Sequence, residues 1–476
     1  MSLIVTNKLN KKYTKYITIF FEDKVSVCPH IPEESKKFIK NAIIKENFNG
    51  KMGEIFKISY PEKDDIIDII YIGAGKKESF NKIEYRNSLF KSLSSLKGEK
   101  GELSVFSPSK TLNDANIVAE VLENINYSFD KYRAVKNESL KLELFTEELQ
   151  NIDETLNICQ AANYAKDLVN EQAEIMTPEN LSLISKEQGE KCGFEVEILE
   201  EDRIKELKMN AFLSVGRGAK NKPHLIVMRY FGDKESDYVY GLVGKGITFD
   251  TGGLCLKGRD TMGAMKDDMG GAATTIAAMM AIAKNRLKKN VIAVIPACEN
   301  SIGPNSYRPS DIVESMSGKF IEITNTDAEG RVILADALTY IVQKEKISEV
   351  VDIATLTGAI SVSLGTTITG VFTNKLEMFK KLDENSKKWG EAFWNMPIAD
   401  EHRSLLKTDI ADIKNSAGVS TAGACTGAAF LENFVEGKPW MHLDIGGTVF
   451  SGSDKDFLRK GATGVAVKSL YEYIKN

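Results

Sequence analysis

Histidine is scarce in this sequence. Only His30, His224, His402 and His442 occur in 476 residues, and no two fall in an HExxH or zinc-finger spacing. A metal centre built on histidine therefore has no support in the sequence. Six cysteines (Cys28, Cys159, Cys192, Cys255, Cys298 and Cys425) lie far apart without a CxxC, which speaks against a disulfide scaffold and for reduced thiols. No apolar run approaches the roughly 18 residues of a membrane helix. The N-terminal "MSLIVTNKLN" turns polar after three apolar residues, too few for the core of a signal peptide. A soluble, cytoplasmic protein with no membrane partner is expected. An excess of positive charge is missing too: the net charge is −5, so bulk electrostatics gives no support for nucleic acid as a partner. There is no GxSxG, and "GKGITF" carries Phe249 where a dinucleotide fingerprint needs its third glycine. Triad hydrolysis and nucleotide binding both lack a motif.

What is present is an ordinary globular composition, 42% hydrophobic and 27% charged, in a chain long enough for two or three domains. The first third alternates short apolar strands ("YITIFF", "IIDIIYIG") with helical patterns ("EESKKFIKNAIIKE", "DANIVAEVLENI"), which predicts a smaller α/β domain over residues 1–145. A helical pattern through "LQNIDETLNICQAANYAKDLVNE" predicts a connecting helix over 146–170. Residues 171–476 form the larger domain. Its strands read as "DYVYGLVGKGITFD", "KNVIAVIPAC", "KFIEITNT", "EVVDIAT" and "WMHLDIGG", with helices such as "GGAATTIAAMMAIAKN" and "GRVILADALTYIVQKE" between most of them. Apolar runs without clean alternation predict an α/β sheet covered by helices on both faces. Its ligand site should then lie at the carboxyl ends of strands, where "TFD", "ACEN" and "TNTDAEG" fall.

Those strand ends are rich in acids and lysines. Lys245 stands inside an apparently buried strand, where a charge is costly without a partner, and the ordinary alternative is an ion pair with Asp250. "KDDMGGAATT" puts Asp267 and Asp268 before a glycine-rich helix start, and "NTDAEGR" puts Asp327 and Glu329 two positions apart. Each alone reads as an acidic helix N-terminus. Together they bring four or five carboxylates to the strand ends of one sheet, where mutual repulsion calls for cations. A carboxylate-rich set without histidine suits Mg2+, Mn2+, Zn2+ or Co2+, and carboxylates bridging two ions would give a two-metal hydrolytic site.

"NTDAEGR", "GKGITFDTGG", "MKDDMGGAA" and "DIATLTGA" together, in order and spacing, resemble the leucine aminopeptidase or cytosol aminopeptidase family. The resemblance runs from "AKDLVNEQAEIMTPENL" to "KGATGVAVKSL". It implies a catalytic domain with a mixed, mostly parallel central sheet, and two divalent ions per subunit, foremost Mn2+ or Zn2+. The implied metal ligands are Lys245, Asp250, Asp268, Asp327 and Glu329, with Asp250 and Glu329 bridging. Lys245 and Asp268 would complete one site, Lys245 as a neutral amine, and Asp327 would serve the other. Lys257 would be the catalytic lysine that stabilises an oxyanion, and Arg331 would hold a bicarbonate acting as base toward the bridging water. Met265, Thr355, Leu356 and Gly358 would line an apolar substrate pocket. The implied activity is release of N-terminal leucine or similar residues from peptides, by a homohexamer whose first domain serves assembly or regulation. Two alternatives stand beside it: a DNA-binding architectural role, known for some members of the family, and a two-metal hydrolase of another amide or a phosphoester. The segment "GRDTMGA" between Lys257 and Met265 carries an Arg-Asp pair whose effect on access or specificity the sequence leaves open.

Overall fold

The structure is a computed structural model that describes residues 3–7, 14–22, 33–62, 65–96, 102–106, 114–136, 141–146, 151–419 and 421–476. Cys28 and His30 lie outside the described residues. The chain forms two compact units. One comprises Met1–Gln160 with Asp454–Arg459, the other Ala161–Ser453 with Lys460–Asn476.

The first unit is built on a six-stranded sheet of β1 (Ile4–Thr6), β2 (Lys15–Phe20), β3 (Ile55–Glu62), β4 (Asp65–Gly73), β5 (Glu102–Phe106) and β6 (Lys141–Phe145), in the order β1-β6-β5-β2-β4-β3. All neighbours are parallel except the β3–β4 hairpin. The period-two alternation of a strand divides the core by face. Ile17, Ile19, Ile70 and Ile72 pack with residues of the helices Lys82–Ser94 and Asp114–Asn126, while Phe20, Ile67, Ile69 and Tyr71 pack with Ile39 and Ile43 of the helix Glu33–Lys45. A late stretch of chain belongs to the same core: Phe457 is buried edge-on to Phe90 at 5.1 Å, and its carbonyl accepts from Asn124 Nδ2 at 2.8 Å.

A helix over Ile152–Asn170 occupies the stretch read as a connector. The next helix, Pro178–Cys192, starts as its sequence dictates, with Pro178 at the first position, where no N–H is missed, and Thr177 Oγ1 accepting from Asn180 N at 3.2 Å.

The second unit carries a nine-stranded sheet: β7 (Glu195–Leu199), β8 (His224–Phe231), β9 (Val239–Gly244), β10 (Gly246–Asp250), β11 (Asn290–Asn300), then β14 (Glu349–Ala354), β15 (Ile368–Thr373), β16 (Ala392–Asn395) and β18 (Trp440–Asp444). The order is β16-β15-β18-β14-β9-β11-β8-β7, with β10 added to β11. Five of the eight pairings are parallel, so the sheet is mixed and mostly parallel. Helices Gly270–Lys284 and Glu329–Lys344 are buried almost throughout, which accounts for the all-round apolar sequence of the first. A small sheet of β12 (Ile312–Glu314), β13 (Phe320–Glu322) and β17 (Ile413–Lys414), and the β19 (Phe450–Ser451) and β20 (Gly461–Ala462) ribbon, complete the strands.

Two strand readings are corrected. "DYVYGLVGKGITFD" is two strands broken at Lys245: β9 lies between β11 and β14, whereas β10 pairs only with β11. The break lets Lys245 N donate to Ile353 O at 3.0 Å and Lys245 O accept from Ala272 N at 2.9 Å, so both peptide groups are satisfied without a continuous ladder. "KFIEITNT" gives only the three-residue β13, which belongs to the small sheet rather than the central one. "NTDAEGR" therefore reaches the site from a different sheet.

Candidate metal centre

The site lies where β9, β10, β11 and β14 end, the carboxyl edge of the parallel core. Asp250 closes β10. Its Oδ1 accepts from Gly252 N at 2.8 Å and from Asn300 Nδ2 at 2.7 Å, and Asn300 itself closes β11. Gly252 has a positive φ of 83°, and a Cβ there would lie 2.7 Å from Asp327 Oδ1, so this turn must be glycine for the Asp327 loop to approach.

Asp268 stands just before the helix Gly270–Lys284, and Glu329 is the first residue of the helix Glu329–Lys344. Neither acid pair serves as an N-cap. The caps are Met269 and Ala328, without side-chain capping bonds. The acids are turned inward instead: Asp250, Asp268 and Glu329 are all buried, and ligand oxygens of Asp250, Asp327 and Glu329 lie within 4.8 Å of one another.

Two lysines sit among these carboxylates. Lys245 Nζ lies 2.7 Å from Asp268 Oδ1, 2.9 Å from Glu329 Oε1 and 2.9 Å from Thr355 O. Its ion pairs are with these acids, not with Asp250, because the strand break separates the two residues. Lys257 Nζ lies 2.8 Å from Asp250 Oδ2 and 2.6 Å from Asp327 Oδ1, so it is no surface lysine. The electrostatics is that of a crowded, dry acidic site. Burial, followed by repulsion from Glu329, pushes the Asp250 carboxyl up to about 7. Burial also drives Asp268 well above the carboxylate range and raises Asp327. Glu329 moves the other way: burial opposes its charge, but the Lys245 and Lys257 ammoniums more than compensate. Lys245 loses to burial and regains more from Asp268, Glu329 and Asp250, so its ammonium is held above the usual lysine range.

Divalent ions fit this donor set. Asp268 Oδ2 and Glu329 Oε2 are buried and have no hydrogen-bond donor among the described residues. Orphaned buried carboxylate oxygens are costly unless a cation completes them. Two ammoniums against four carboxylates also leave the cluster short of positive charge.

The remaining residues implied by the resemblance fall around this core. Arg331 is buried in the first turn of its helix; it makes no ion pair with Asp327 or Glu329, but donates from Nη1 to Asn415 O at 3.0 Å while its Nε has no partner among the described residues. Thr355 Oγ1 donates to Asp268 Oδ1 at 2.8 Å. Leu356 is half-buried against the main core, Met265 is half-buried in a short turn, and Gly358 is exposed at a helix start with open space beside it. Asp267 is half-buried and outside the cluster, its carboxyl pushed up to about 6 by burial. "GRDTMGA" is an exposed single turn of helix over Arg259–Met262 flanked by glycines.

Sequence reasoning missed the residues that hold the candidate ligands. Asn300 is one, and Tyr307, whose hydroxyl donates to Thr326 O at 2.7 Å, is another. Asp444, at the end of β18, is a third: it accepts from Leu356 N at 3.2 Å, Gly446 N at 3.1 Å and Thr357 Oγ1 at 2.7 Å, and so fixes the wall that carries Thr355 to Gly358. A strand-end acid in "WMHLDIGG" was the available signal. Asn415 had none.

Residues 163–471 match the model of the cytosol aminopeptidase family catalytic domain, and residues 20–136 match that family's N-terminal domain. Among relatives, a probable cytosol aminopeptidase of Fusobacterium nucleatum is 46% identical, covering 100% of this chain and 99% of its own. One from Clostridium perfringens is 45% identical over 95% of this chain and 94% of its own. Among solved structures, the bottromycin maturation enzyme BotP in complex with Mn superposes with a TM-score of 0.84 at 29% identity, covering 97% of this chain and 99% of that one. With its catalytic and N-terminal models both matched and its acids gathered at one sheet edge, the chain belongs to the cytosol aminopeptidase family of metal-dependent hydrolases.

Proposed function

We propose that the protein releases N-terminal residues from peptides, with a preference for leucine and similar apolar side chains, using two divalent ions held by Lys245, Asp250, Asp268, Asp327 and Glu329. The observation that carries this reading is the pair of orphaned oxygens on Asp268 and Glu329, two of the four carboxylates that Lys245 and Lys257 bridge. In the assignment by resemblance, Asp250 and Glu329 serve both ions, Lys245 and Asp268 complete one site, and Asp327 completes the other. Mn2+ or Zn2+ is the expected metal, and the Mn complex of BotP favours the first. When bound, the ions acidify the attacking water and polarise the scissile carbonyl.

The chain's own residues supply the rest. Lys245 must give up its proton to act as a ligand, and burial in a dry site favours that loss once ions replace its carboxylate partners. Lys257, its two acid partners then committed to the ions, is left as the cation for negative charge developing on the carbonyl oxygen. Arg331, whose Nε has no partner and whose guanidinium makes no ion pair among the described residues, is suited to hold a small anion such as bicarbonate beside the reacting water. Met265, Thr355, Leu356 and Gly358 line the pocket for the first side chain, with Asp444 fixing the latter stretch.

Leucyl, other aminoacyl and phosphate-ester chromogenic substrates, assayed side by side with metal analysis, test the reading. Fastest turnover of leucyl substrates by protein holding two ions per chain is expected. Turnover of the phosphate ester alone would overturn it in favour of a phosphoesterase. The N-terminal domain over 1–145 is assigned to assembly or regulation, the helix over 146–170 to the connection between the domains, and the active form to a cytoplasmic homohexamer. Light scattering should give six times the 52.7 kDa chain mass, and a mass of one chain would sink the hexamer.

A further inference from the structure

We propose that Asn415 is a positioning residue that sets the Asp327 half of the centre separately from the Lys245–Asp268 half. The inference rests on the two-ion reading above. Asn415 follows β17 in the small sheet, is fully buried, and uses its whole amide on the loop that carries Asp327. Its Oδ1 accepts from Thr324 N at 2.8 Å, from Asn325 N at 3.2 Å and from Thr324 Oγ1 at 3.3 Å. Its Nδ2 donates to Asn325 O at 2.7 Å and to Ala328 O at 3.3 Å. The one side chain thus grips the loop before and after Asp327. Its main-chain carbonyl takes Arg331 Nη1 at 3.0 Å, so the same residue also orients the guanidinium.

Asp250 and Asp268 have different supports. Asp250 is held by Gly252 N and Asn300, and Asp268 by Thr355 and Lys245. None of these bonds passes through Asn415. Loss of the Asn415 grip should therefore loosen Asp327 while leaving Asp268 and Lys245 in place, so that the two ions part company in affinity. Only an amide serves, because the position must accept on one atom and donate on the other. A carboxylate of the same shape would face the carbonyls of Asn325 and Ala328 with no proton to give.

The test compares wild type with Asn415→Asp and Asn415→Ala, measuring metal per chain by elemental analysis, Mn2+ titration by EPR, the melting temperature and steady-state kinetics. Wild type should hold two ions. The variants should hold one tightly and lose the second by roughly 10–100-fold in affinity, as expected for a lost outer-shell support. The fall in activity should appear in kcat more than in KM, and excess Mn2+ should restore part of it. Two tightly held ions and an unchanged kcat in folded variants would overturn the proposal, as would parallel loss of both ions. If neither variant folds, hydrogen exchange on wild-type protein decides: the Thr324 and Asn325 amides should stay protected after metal removal, and free exchange would count against the grip. Fewer than two ions in wild type would instead defeat the two-ion reading itself.

Discussion

Lys257 is the residue at which bulk patterning and local structure give opposite answers. In sequence it is one more lysine in a glycine-rich loop, yet its ammonium lies 2.8 Å from Asp250 and 2.6 Å from Asp327. A lysine so placed either neutralises the acids or serves the reaction, and the two roles separate on substitution. Lys257→Ala should retain both ions, since it removes a competing cation, while kcat falls by roughly 10²–10³ as for loss of a single oxyanion donor. Retained rate would make Lys257 a charge-balancing group only. Asp267 is the internal control: Glu329→Ala should abolish turnover and lower metal content, and Asp267→Ala should do neither. The ligand types were legible because they cluster in short motifs at strand ends. Their partners were not. Lys245 looked paired with Asp250, five positions on, but the break after β9 sends its amine to Asp268 and Glu329 instead. Asn300 fell in the strand end "ACEN" without a role of its own, and Asn415 gave no signal, because single polar residues carry no spacing and their role exists only once distant loops meet.

At the level of elements, the centre depends on how closely one helix approaches one strand. Gly271 lies in the first turn of the helix Gly270–Lys284, and a Cβ there would come within 2.0 Å of Ile353 O and 2.8 Å of Lys245 N. Backbone atoms cannot swing aside as a side-chain end can. Gly271→Ala must therefore push the helix away from β14, taking Asp268 and the Lys245 turn with it. Helix propensity favours alanine by about 1 kcal/mol. Overpacking against a rigid strand costs typically about 1–3 kcal/mol, so net destabilisation is expected. Urea unfolding should show a lower midpoint and metal analysis a lower occupancy, and an unchanged midpoint would mean that the helix can shift freely. The sequence announced this helix and its glycine-rich start clearly, as it did the buried strands β11, β14 and β18. It failed at "KFIEITNT", where a β-rich run forms three paired residues in a side sheet, because propensity states how well residues suit a strand and not which sheet adopts it.

Across the whole molecule, the proposed ligands all fall in the unit formed by Ala161–Ser453 and Lys460–Asn476, and none falls in the other. Metal should therefore act on stability through one unit. In that unit Asp250, Asp268 and Glu329 are buried together, with Lys245 and Lys257 the lysines that pair with them among the described residues. With ions at a hundredfold excess over their dissociation constant, binding to the folded state alone adds about 2.7 kcal/mol for each site. At about 2.1 cal/mol/K of unfolding entropy per residue, each kcal/mol moves the midpoint of a unit this large by about 1.5 °C. Chelation should accordingly lower the calorimetric midpoint by several degrees, and Mn2+ returned in stoichiometric amount should restore it. Two units also make a single two-state transition an unsafe assumption. If the trace resolves two transitions, the one that moves should disappear from a protein carrying both Asp250→Ala and Glu329→Ala as a metal-responsive event, while the second transition keeps its position. A trace indifferent to chelator would mean that the carboxylate cluster is stable without cations, and the orphaned oxygens of Asp268 and Glu329 would then need another partner.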